Sequence, residues 1–457
     1  MNKANTIYEA ARDVPVVEEC DVCVVGGSCT GVFAAIRAAR MGARVALIEG
    51  HGFFGGTATA GLVSVWHSLF DTEGKKQIIA GLTDEVIEKM CARGMARKFE
   101  PENPHKYVSF NAAELILTLD EAALAEKNIR SFLHARVVSV AKEGDVVGAV
   151  IVENASGRQA VRAKVFIDAT GNGDLAHHAG LAMYNYPHRL PPTMCALYSG
   201  VGAARAKQPE FHPDRVVFDP KNPKALPQGF LWYADIPGLQ DIVMVAGTRV
   251  SQVDTCDADQ LTFAEFEGRR QVRRSLEMMN EHAGGEGIRL VALPSHIGVR
   301  DTRHAHCHYQ LTERDVLEGV AFDDTIAHGS YRVDVHFDDK PGLVFRYLDG
   351  REDIVNPPLP SVCGRWREER AVNPTFYNIP FRSILPRGLD NVLVVGRALD
   401  ADRGAFGAAR VMVNLNQTGE AAGVAAALAV ENNCALSALD IPSLQAAMRK
   451  GGSILHV

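Results

Sequence analysis

The chain has 457 residues, which is enough to bury a large core and to form two units. Its hydrophobic content of 47% and charged content of 23% are ordinary for a globular enzyme. The formal net charge of −7 predicts no nucleic-acid partner, because phosphate binding needs a basic surface.

Membrane and disulfide signals are both weak in this sequence. No apolar run reaches the roughly 20 residues that span a bilayer, and the N-terminal segment lacks the apolar stretch of a secretory signal peptide. We therefore expect a cytoplasmic protein without a membrane partner. The nine cysteines are scattered and form no disulfide framework, and we interpret Cys20 and Cys23 as buried strand residues rather than a redox pair.

The first elements of the chain predict a βαβ unit. Asp21–Val25 is a short apolar run typical of a buried parallel strand. Thr30–Met41 is rich in small helix-forming residues, and Gly42 is a natural helix stop. Arg44–Glu49 is the second predicted strand.

The next region predicts an antiparallel meander. Three β-rich segments, Val137–Val140, Val147–Val152 and Val161–Ala169, are separated by polar turns. The third segment is apolar enough to rejoin the central sheet.

The remainder predicts an insertion followed by a return to α/β structure. Residues 181–374 carry most of the proline, aromatic and histidine content, whereas 391–397 predicts a buried strand and 414–430 a helix of small residues. The predicted fold is therefore α/β: a Rossmann-like domain with a parallel sheet and β-meander (1–180 and 375–457) and an inserted α+β substrate domain.

A glycine-rich turn joins the first strand to the first helix. The sequence GGSCTG at 26–31 offers free backbone N–H groups at a helix N-terminus, which is how dinucleotide pyrophosphates are bound. Gly26 supplies the tight turn and Gly31 the close helix packing, while Ser28 replaces the usual second glycine. Glu49 at the end of the second strand is placed to accept ribose hydroxyls.

A second glycine cluster favours FAD over NAD. Gly55, Gly56 and Thr57 follow the second strand and let the backbone approach an extended cofactor again. The long FAD molecule requires such a second approach more than NAD does.

Three sequence blocks together resemble a known family. They are the GGSxxG…E…GGTATAG series, the segment IDATGNGD at 167–174, and the C-terminal IPFRSILPRGLDNVLVVGR…ARVMVNLNQTGEAAGVAAAL. In these blocks the chain resembles the FAD-dependent oxidoreductases of the glutathione-reductase-like (GR2-type) superfamily, and within it the bacterial FAD-dependent oxidoreductase branch. The resemblance extends over essentially the whole chain.

The resemblance implies an FAD site drawn from both ends of the chain. The glycine clusters and Glu49 would hold the ADP half and pyrophosphate, the backbone of Val137 would meet the adenine, and the helix starting near Asn414 would direct its N-terminus at the flavin O2 edge. The implied cofactor-binding residues are Gly26, Gly27, Ser28, Gly31, Glu49, Gly55, Gly56, Thr57, Val137, Thr170, Gly171, Gly396, Arg397, Arg410, Val411 and Asn414.

Two features of related disulfide reductases are missing from the sequence. No cysteine pair follows the second strand, so dithiol chemistry is not expected. No second glycine-rich fingerprint marks an NAD(P)H domain, so we expect a separate electron donor or acceptor besides a small-molecule substrate.

The segment 298–309 holds the densest group of candidate catalytic residues. Its G-x-R-x-x-R pattern, with Arg300 and Arg303, resembles a family strand that reaches the substrate side of the flavin. His304 stands where the family usually has arginine. On a strand His304, His306 and His308 would share one face, and we favour local hydrogen bonding or titration over a metal site there.

Two further candidates lie outside that segment. His67 follows the second glycine cluster and would lie near the flavin, or serve as a structural histidine. Arg382 resembles a position close to the flavin in the family, and its alternative is a salt bridge at the domain interface.

These residues predict two-electron redox chemistry. A hydride would pass between a carbon of a small polar substrate, for which an anion is one option, and flavin N5. Arg300, Arg303 and Arg382 would bind substrate or balance flavin charge, and one of His67, His304 and His306 would move the proton. A flavin-dependent monooxygenase, and a non-redox FAD-binding or RNA-modifying protein, remain alternatives; a homo-oligomer is compatible with the sequence.

Overall fold

The computed structural model describes residues 6–98, 107–226, 230–283 and 287–455. Residues 1–5, part of the segment used for the signal-peptide prediction, lie outside the described residues. Among the described residues, no helix combines the length and apolar character needed to cross a membrane.

The helices and strands are numbered in chain order. The N-terminal part contains β1 (Val16–Val25), α1 (Cys29–Arg40), β2 (Val45–Ile48), β3 (Val65–His67), α2 (Leu82–Ala92), β4 (Ala96–Arg97), β5 (Tyr107–Phe110), α3 (Ala112–Ala125), β6 (Ile129–Phe132), β7 (Arg136–Glu143), β8 (Val146–Asn154), β9 (Gly157–Asp168) and α4 (Asp174–His178). The middle contains β10 (Met183–Tyr184), β11 (Ala196–Ser199), α5 (Val201–Lys207), α6 (Pro213–Val217), β12 (Trp232–Asp235), β13 (Ile242–Ala246), α7 (Ala258–His282), β14 (Arg289–Ala292), β15 (His304–Ala305), α8 (Glu313–Glu318), β16 (Thr325–Gly329), β17 (Val333–His336), β18 (Leu343–Arg346), β19 (Arg351–Val355) and β20 (Val362–Arg365). The C-terminal part contains β21 (Tyr377–Pro380), β22 (Val392–Val394), α9 (Arg403–Ala409), α10 (Met412–Asn432) and α11 (Ile441–Lys450).

A seven-stranded sheet forms the centre of the molecule, in the order β6-β2-β1-β9-β8-β7 with β22 also beside β9. Strands β6, β2, β1, β9 and β22 are parallel, whereas β7, β8 and β9 form the antiparallel meander. The first half of β9 pairs with β8 and its last residues, Phe166–Asp168, pair with β22. The predicted α/β fold with a parallel sheet and a meander is confirmed.

The predicted βαβ unit is present as β1, α1 and β2. Helix α1 begins at Cys29 because the side chain of Ser28 accepts a hydrogen bond from the Gly31 backbone N–H. Strand β1 contains both Cys20 and Cys23, which are buried and unbonded to each other.

Helix α10 packs directly on α1 at glycine positions. A Cβ atom added to Gly423 would lie 2.2 Å from the carbonyl oxygen of Ala34, which only a glycine permits. Beside this contact, the buried carboxylate of Glu420 accepts a hydrogen bond of 2.7 Å from Nε of Arg37. Helix packing and a buried ion pair therefore join the two ends of the chain.

Two antiparallel sheets lie in the middle of the chain. One has the order β12-β13-β11-β14, and a hydrophobic cluster that runs from Met194 to Ile297 packs against it together with α7. The other has the order β17-β18-β19-β20. Buried residues of the later segment, such as Leu311 and Val333, belong to the same cluster as α1 and α10. The boundaries of the inserted domain at 181 and 374 stay a prediction.

Candidate functional site

The four parallel strands β1, β2, β9 and β22 end at one edge of the central sheet. Ligands of open α/β sheets bind beyond the carboxyl ends of the strands. Predicted cofactor residues follow each end: Gly26 after β1, Glu49 after β2, Thr170 and Gly171 after β9, and Gly396 and Arg397 after β22.

The glycine turn brings backbone close to backbone at this edge. Gly26 has φ +103°, and a Cβ atom there would lie 2.5 Å from the carbonyl carbon of Ala169. A Cβ atom at Gly31 would lie 1.8 Å from the carbonyl oxygen of Gly26. Ser28, at the position of the usual second glycine, directs its hydroxyl towards the protein, 3.4 Å from both the Gly31 nitrogen and the Ala169 carbonyl oxygen. The N-terminus of α1 therefore lies behind a turn without obstructing side chains.

Glu49 is held against this turn as a carboxylate. Its Oε2 accepts from the Gly27 backbone N–H at 2.6 Å, and its Oε1 lies 2.8 Å from both the backbone nitrogen and Nδ1 of His51. Burial raises the pKa of this carboxyl, but the hydrogen bonds from His51 and Gly27 outweigh burial and lower it. An ionised carboxylate has lone pairs that can accept hydrogen bonds from ribose hydroxyls.

The second glycine cluster lies against the first. The Gly55 N–H donates to the Gly27 carbonyl at 2.8 Å, and Ser28 and Gly55 form a parallel bridge. Arg397 from the C-terminal block reaches both regions, since its guanidinium lies 3.3 Å from Thr57 Oγ1 and 3.4 Å from Asn172 Oδ1. Residues far apart in sequence thus converge here.

Val137 and Asn414, both predicted to contact the cofactor, lie in different surroundings. Val137 lies near the start of β7, and the neighbouring Ala135 N–H donates to the Glu49 carbonyl. Helix α10 begins at Met412, two residues before the predicted start, and Asn414 donates its amide to the hydroxyl of Tyr377 at 2.9 Å. The Asn414 side chain is therefore occupied in the core, while Val411 caps the start of the helix.

A cavity of about 650 Å³ adjoins this edge of the sheet. It is bounded by residues of β12 and β13 from one antiparallel sheet and of β17 and β18 from the other. Predicted cofactor residues and predicted catalytic residues line it together: Thr57, His67, Arg300, Arg397, Arg410 and Val411.

Besides Arg397 at the sheet edge, three arginines that line this cavity have no acidic partner among the described residues. Within the described residues, Arg249, Arg300 and Arg332 have no carboxylate within an ion-pairing distance of 4.0 Å. Arg249 and Arg300 both donate to the hydroxyl of Thr193, Arg249 at 2.8 Å, and Arg300 also donates to the Pro191 carbonyl at 2.6 Å. Arg332 lies over the ring of Phe345. The cavity therefore holds unneutralised positive charge.

The charges affect one another because they are buried close together. Burial, with Arg249 and Arg410 nearby, lowers the pKa of Arg300 well below its usual range, and burial lowers that of Arg249 to about 10. Asp334 is the nearby carboxylate, 3.2 Å from the Arg410 guanidinium and 3.4 Å from Nε2 of His336. Burial raises the pKa of Asp334, but His336, Arg410 and Arg332 outweigh it and lower the pKa.

His67 is an uncharged group on the cavity wall. Its ring centroid lies 4.1 Å from that of Tyr331. Burial and the nearby Arg332 lower the pKa of His67 to about 3. At neutral pH its imidazole is therefore uncharged, and the unprotonated ring nitrogen can accept a proton.

The other predicted catalytic residues do not line this cavity. Arg303 is paired with Asp174 at 3.2 Å, and Arg382 is half-exposed and paired with Asp324 at 3.0 Å, the salt bridge given above as its alternative. Strand β15 contains only two residues, so the expected shared histidine face does not form. His304 is fully buried and His306 is exposed.

The contacts of His304 are those of a structural histidine. Its Nδ1 lies 3.0 Å from the Leu399 carbonyl oxygen and its Nε2 lies 3.2 Å from Asp301. Its ring packs against Tyr186 and Phe406. Among the described residues, no group of three or more histidine, cysteine, aspartate and glutamate side chains could hold a metal ion.

Several cavity residues were missed at the sequence level. Arg332, just before β17, and Asp334 and His336 within it alternate with valines, and this period of two places titratable side chains on one face of an otherwise apolar strand. That alternating pattern could have identified these three residues from the sequence. Arg249 follows the apolar strand β13 and carries no comparable motif.

The residues at this edge fit FAD. The space at the glycine turn is one that Cβ atoms would fill. The Glu49 carboxylate is placed to accept hydrogen bonds from the ribose hydroxyls. The adjoining cavity provides room for a ring system. Arg397 and Arg410 each have a buried Nε–H without a hydrogen-bond partner in the described part of the chain. Such donors are typical of a site that a ligand completes.

Comparisons with known proteins agree with this description. The model of a family described as FAD dependent oxidoreductase matches residues 21–448. A search of curated proteins found no match.

Two solved structures illustrate more distant similarity. A geranylgeranyl bacteriochlorophyll reductase-like protein from Thermoplasma acidophilum is 15% identical, with a TM-score of 0.45 over 95% of this chain and 82% of its own. The p-nitrophenol 4-monooxygenase of Pseudomonas putida is 11% identical, with a TM-score of 0.45 over the same two shares, 95% and 82%. The family model, which matches most of the chain, carries the assignment.

Proposed function

Because the chain belongs to the FAD-dependent oxidoreductase family, we propose that this enzyme transfers a hydride between a carbon atom of a small anionic substrate and the flavin, on a GR2-type fold. FAD, when bound, supplies the atom that accepts or gives the hydride. The protein supplies the anion site, the orientation and the proton. A separate small molecule or protein completes the electron balance of each turnover.

The single observation that carries the anionic substrate is the group of three cavity arginines without acidic partners. Buried charges in proteins are normally paired, because an isolated charge is costly to remove from water. Arg249, Arg300 and Arg332 are held by a hydroxyl, backbone carbonyls and aromatic rings instead. A substrate carboxylate would provide the missing negative charge.

The cavity also brings the substrate site next to the predicted flavin site. Thr57, Arg397 and Val411, which are predicted to contact the cofactor, line the same space as Arg300. An anion bound by Arg300 and Arg249 would therefore lie beside the cofactor ring. Fixing the substrate in this way contributes to catalysis by orientation.

His67 is the best-placed proton acceptor of the three predicted histidines. It lines the cavity, whereas His304 is locked in the core and His306 is on the surface. The imidazole is neutral because it is buried and because Arg332 and Arg410 lie nearby, and a substrate anion that offsets those charges would raise its pKa towards the working range.

An anaerobic titration of the holoenzyme tests this function. Small carboxylic acids are added while flavin reduction is followed by visible absorbance. Replacing Arg300 by glutamine removes a charge-assisted contact, so we expect the half-saturating concentration of an active acid to rise about 30-fold. The control is Arg270→Gln, an exposed arginine on α7. An unchanged titration for Arg300→Gln would contradict the proposal.

A further inference from the structure

We infer that the substrate is an amphipathic acid, in which the carboxylate is attached to a planar apolar group such as an aromatic ring. This inference rests on the proposed function and specifies its substrate class. It comes from the wall of the cavity that lies beyond the arginines.

Aromatic side chains in or next to strands β5, β12 and β18 form this wall. The residues concerned are Tyr107, Phe230, Trp232, Tyr233, Phe345 and Tyr347. Trp232 and Tyr233 belong to β12 in one sheet, and Phe345 belongs to β18 in the other. The rings of Phe230 and Phe345 meet edge to face, with centroids 6.1 Å apart, so the segment before β12 contacts β18 through aromatic groups.

Arg332 joins the aromatic wall to the charged part of the cavity. Its guanidinium carbon lies 3.8 Å from the ring centroid of Phe345 and 5.3 Å from that of Tyr331. Within the described residues it makes no hydrogen bond, and its buried Nε–H has no partner. Its positive charge is therefore stabilised by rings on one side and is available to an anion on the other.

This arrangement favours a ligand that carries both a negative charge and an apolar ring. A dicarboxylate or sugar acid would place polar groups against the rings of Phe230 and Phe345, where they would lose their hydration without new hydrogen bonds. A neutral aromatic compound would leave three arginines unpaired. An aryl carboxylate satisfies both parts, because its ring can lie along the wall while its carboxylate reaches the arginines.

Binding of simple probes to the holoenzyme tests the inference. Benzoate, benzamide and succinate are titrated separately while the visible flavin spectrum reports occupancy. We expect benzoate to have a Kd at least about tenfold lower than either benzamide or succinate, because only benzoate matches both parts of the cavity.

Variants separate the ring preference from the charge preference. Phe345→Leu should reduce the benzoate-over-succinate preference at least about fivefold while benzoate remains favoured over benzamide. Trp232→Leu serves the same purpose if the Phe345 variant does not fold, and Phe266→Leu on the exposed face of α7 is the matched control.

The outcomes distinguish this inference from the proposed function. Succinate binding as tightly as benzoate would overturn the aromatic part and leave the anionic substrate intact. Benzamide binding as tightly as benzoate would contradict the anionic substrate itself. A ring preference unchanged in both Phe345→Leu and Trp232→Leu would show that this wall does not hold the ring.

Discussion

At the scale of single residues, the chemistry depends on charges that the fold keeps apart from their usual partners. Arg249 and Arg300 share one hydroxyl acceptor, that of Thr193, instead of a carboxylate. Asp334 is bound to Arg410 and lies beside His336. The remaining positive charge therefore faces the cavity, where a bound anion would neutralise it.

His67 gives a pH prediction with a definite sign. Its pKa is about 3 in the folded protein and 6.5 in the unfolded chain, so the unfolded state takes up the proton first as the pH falls. The free energy of unfolding therefore decreases between pH 6.5 and 3, by about 1 kcal/mol per pH unit from this group. In His67→Gln that contribution disappears, and the decrease between pH 6.5 and 5 should be smaller.

Urea unfolding of the FAD-saturated protein at several pH values measures this effect. His178→Gln, an exposed substitution, is the control for loss of a histidine in general. Parallel pH profiles for wild type and His67→Gln, with the His178 variant also unchanged, would show that His67 is not held uncharged by its surroundings.

At the scale of elements, the contact between α1 and α10 connects the glycine turn to the C-terminal part of the site. Helix α1 begins at the turn, and α10 begins at Met412 on the cavity wall. Close packing at Gly423 and the buried pair of Arg37 and Glu420 fix the two helices relative to each other. The distance between the predicted adenine and flavin ends of the site depends on this contact.

Replacing Gly423 by alanine tests that dependence. The added Cβ would meet the backbone of Ala34, so the helices must separate, and we expect a loss of about 1–3 kcal/mol in the free energy of unfolding. FAD affinity should fall as well. Gly148→Ala in β8 is the matched control, because a Cβ there meets only the Ala141 carbonyl oxygen at 3.7 Å.

Equal stability of these two glycine variants would contradict the packing argument. Loss of stability in Gly423→Ala with unchanged FAD affinity would show that the helix contact supports the core alone. Denaturant unfolding and titration with free FAD provide the two measurements.

The elements that the sequence predicts well are those with local signals. The turn at 26–31 and the meander strands follow from glycine positions and from alternating apolar residues over short stretches. The start of α10 is misplaced by two residues because its small apolar residues give no clear boundary. Arg300 is found at the cavity as the motif predicts, whereas Arg303 and His304, a few residues further on, are directed to other partners.

The rest of the site could not be derived locally. Arg249 follows β13 and Arg332 precedes β17, strands of two different sheets, and only the folded chain brings both residues to one cavity. These arginines matter because they have no acidic partner among the described residues, and whether an arginine has such a partner is decided by the tertiary structure. Sequence motifs predict the cofactor more completely than the substrate for this reason.

At the scale of the whole molecule, an acidic protein encloses a basic cavity. The chain carries a net charge of −7, yet the cavity lining contains six arginines and two aspartates. Positive charge concentrated in a cleft with walls of low dielectric constant attracts anions in spite of the overall charge. The sheets that form the walls and the sheet edge that carries the predicted cofactor residues therefore border one cavity.

The most direct test of the account compares a carboxylic acid with its own amide. The acid chosen is one that reduces the flavin of the anaerobic holoenzyme, and the initial rate of flavin reduction is measured for both compounds at equal subsaturating concentration. We predict a rate at least about 100-fold lower for the amide, because it cannot pair with the cavity arginines. Equal rates for the acid and the amide would contradict the central claim.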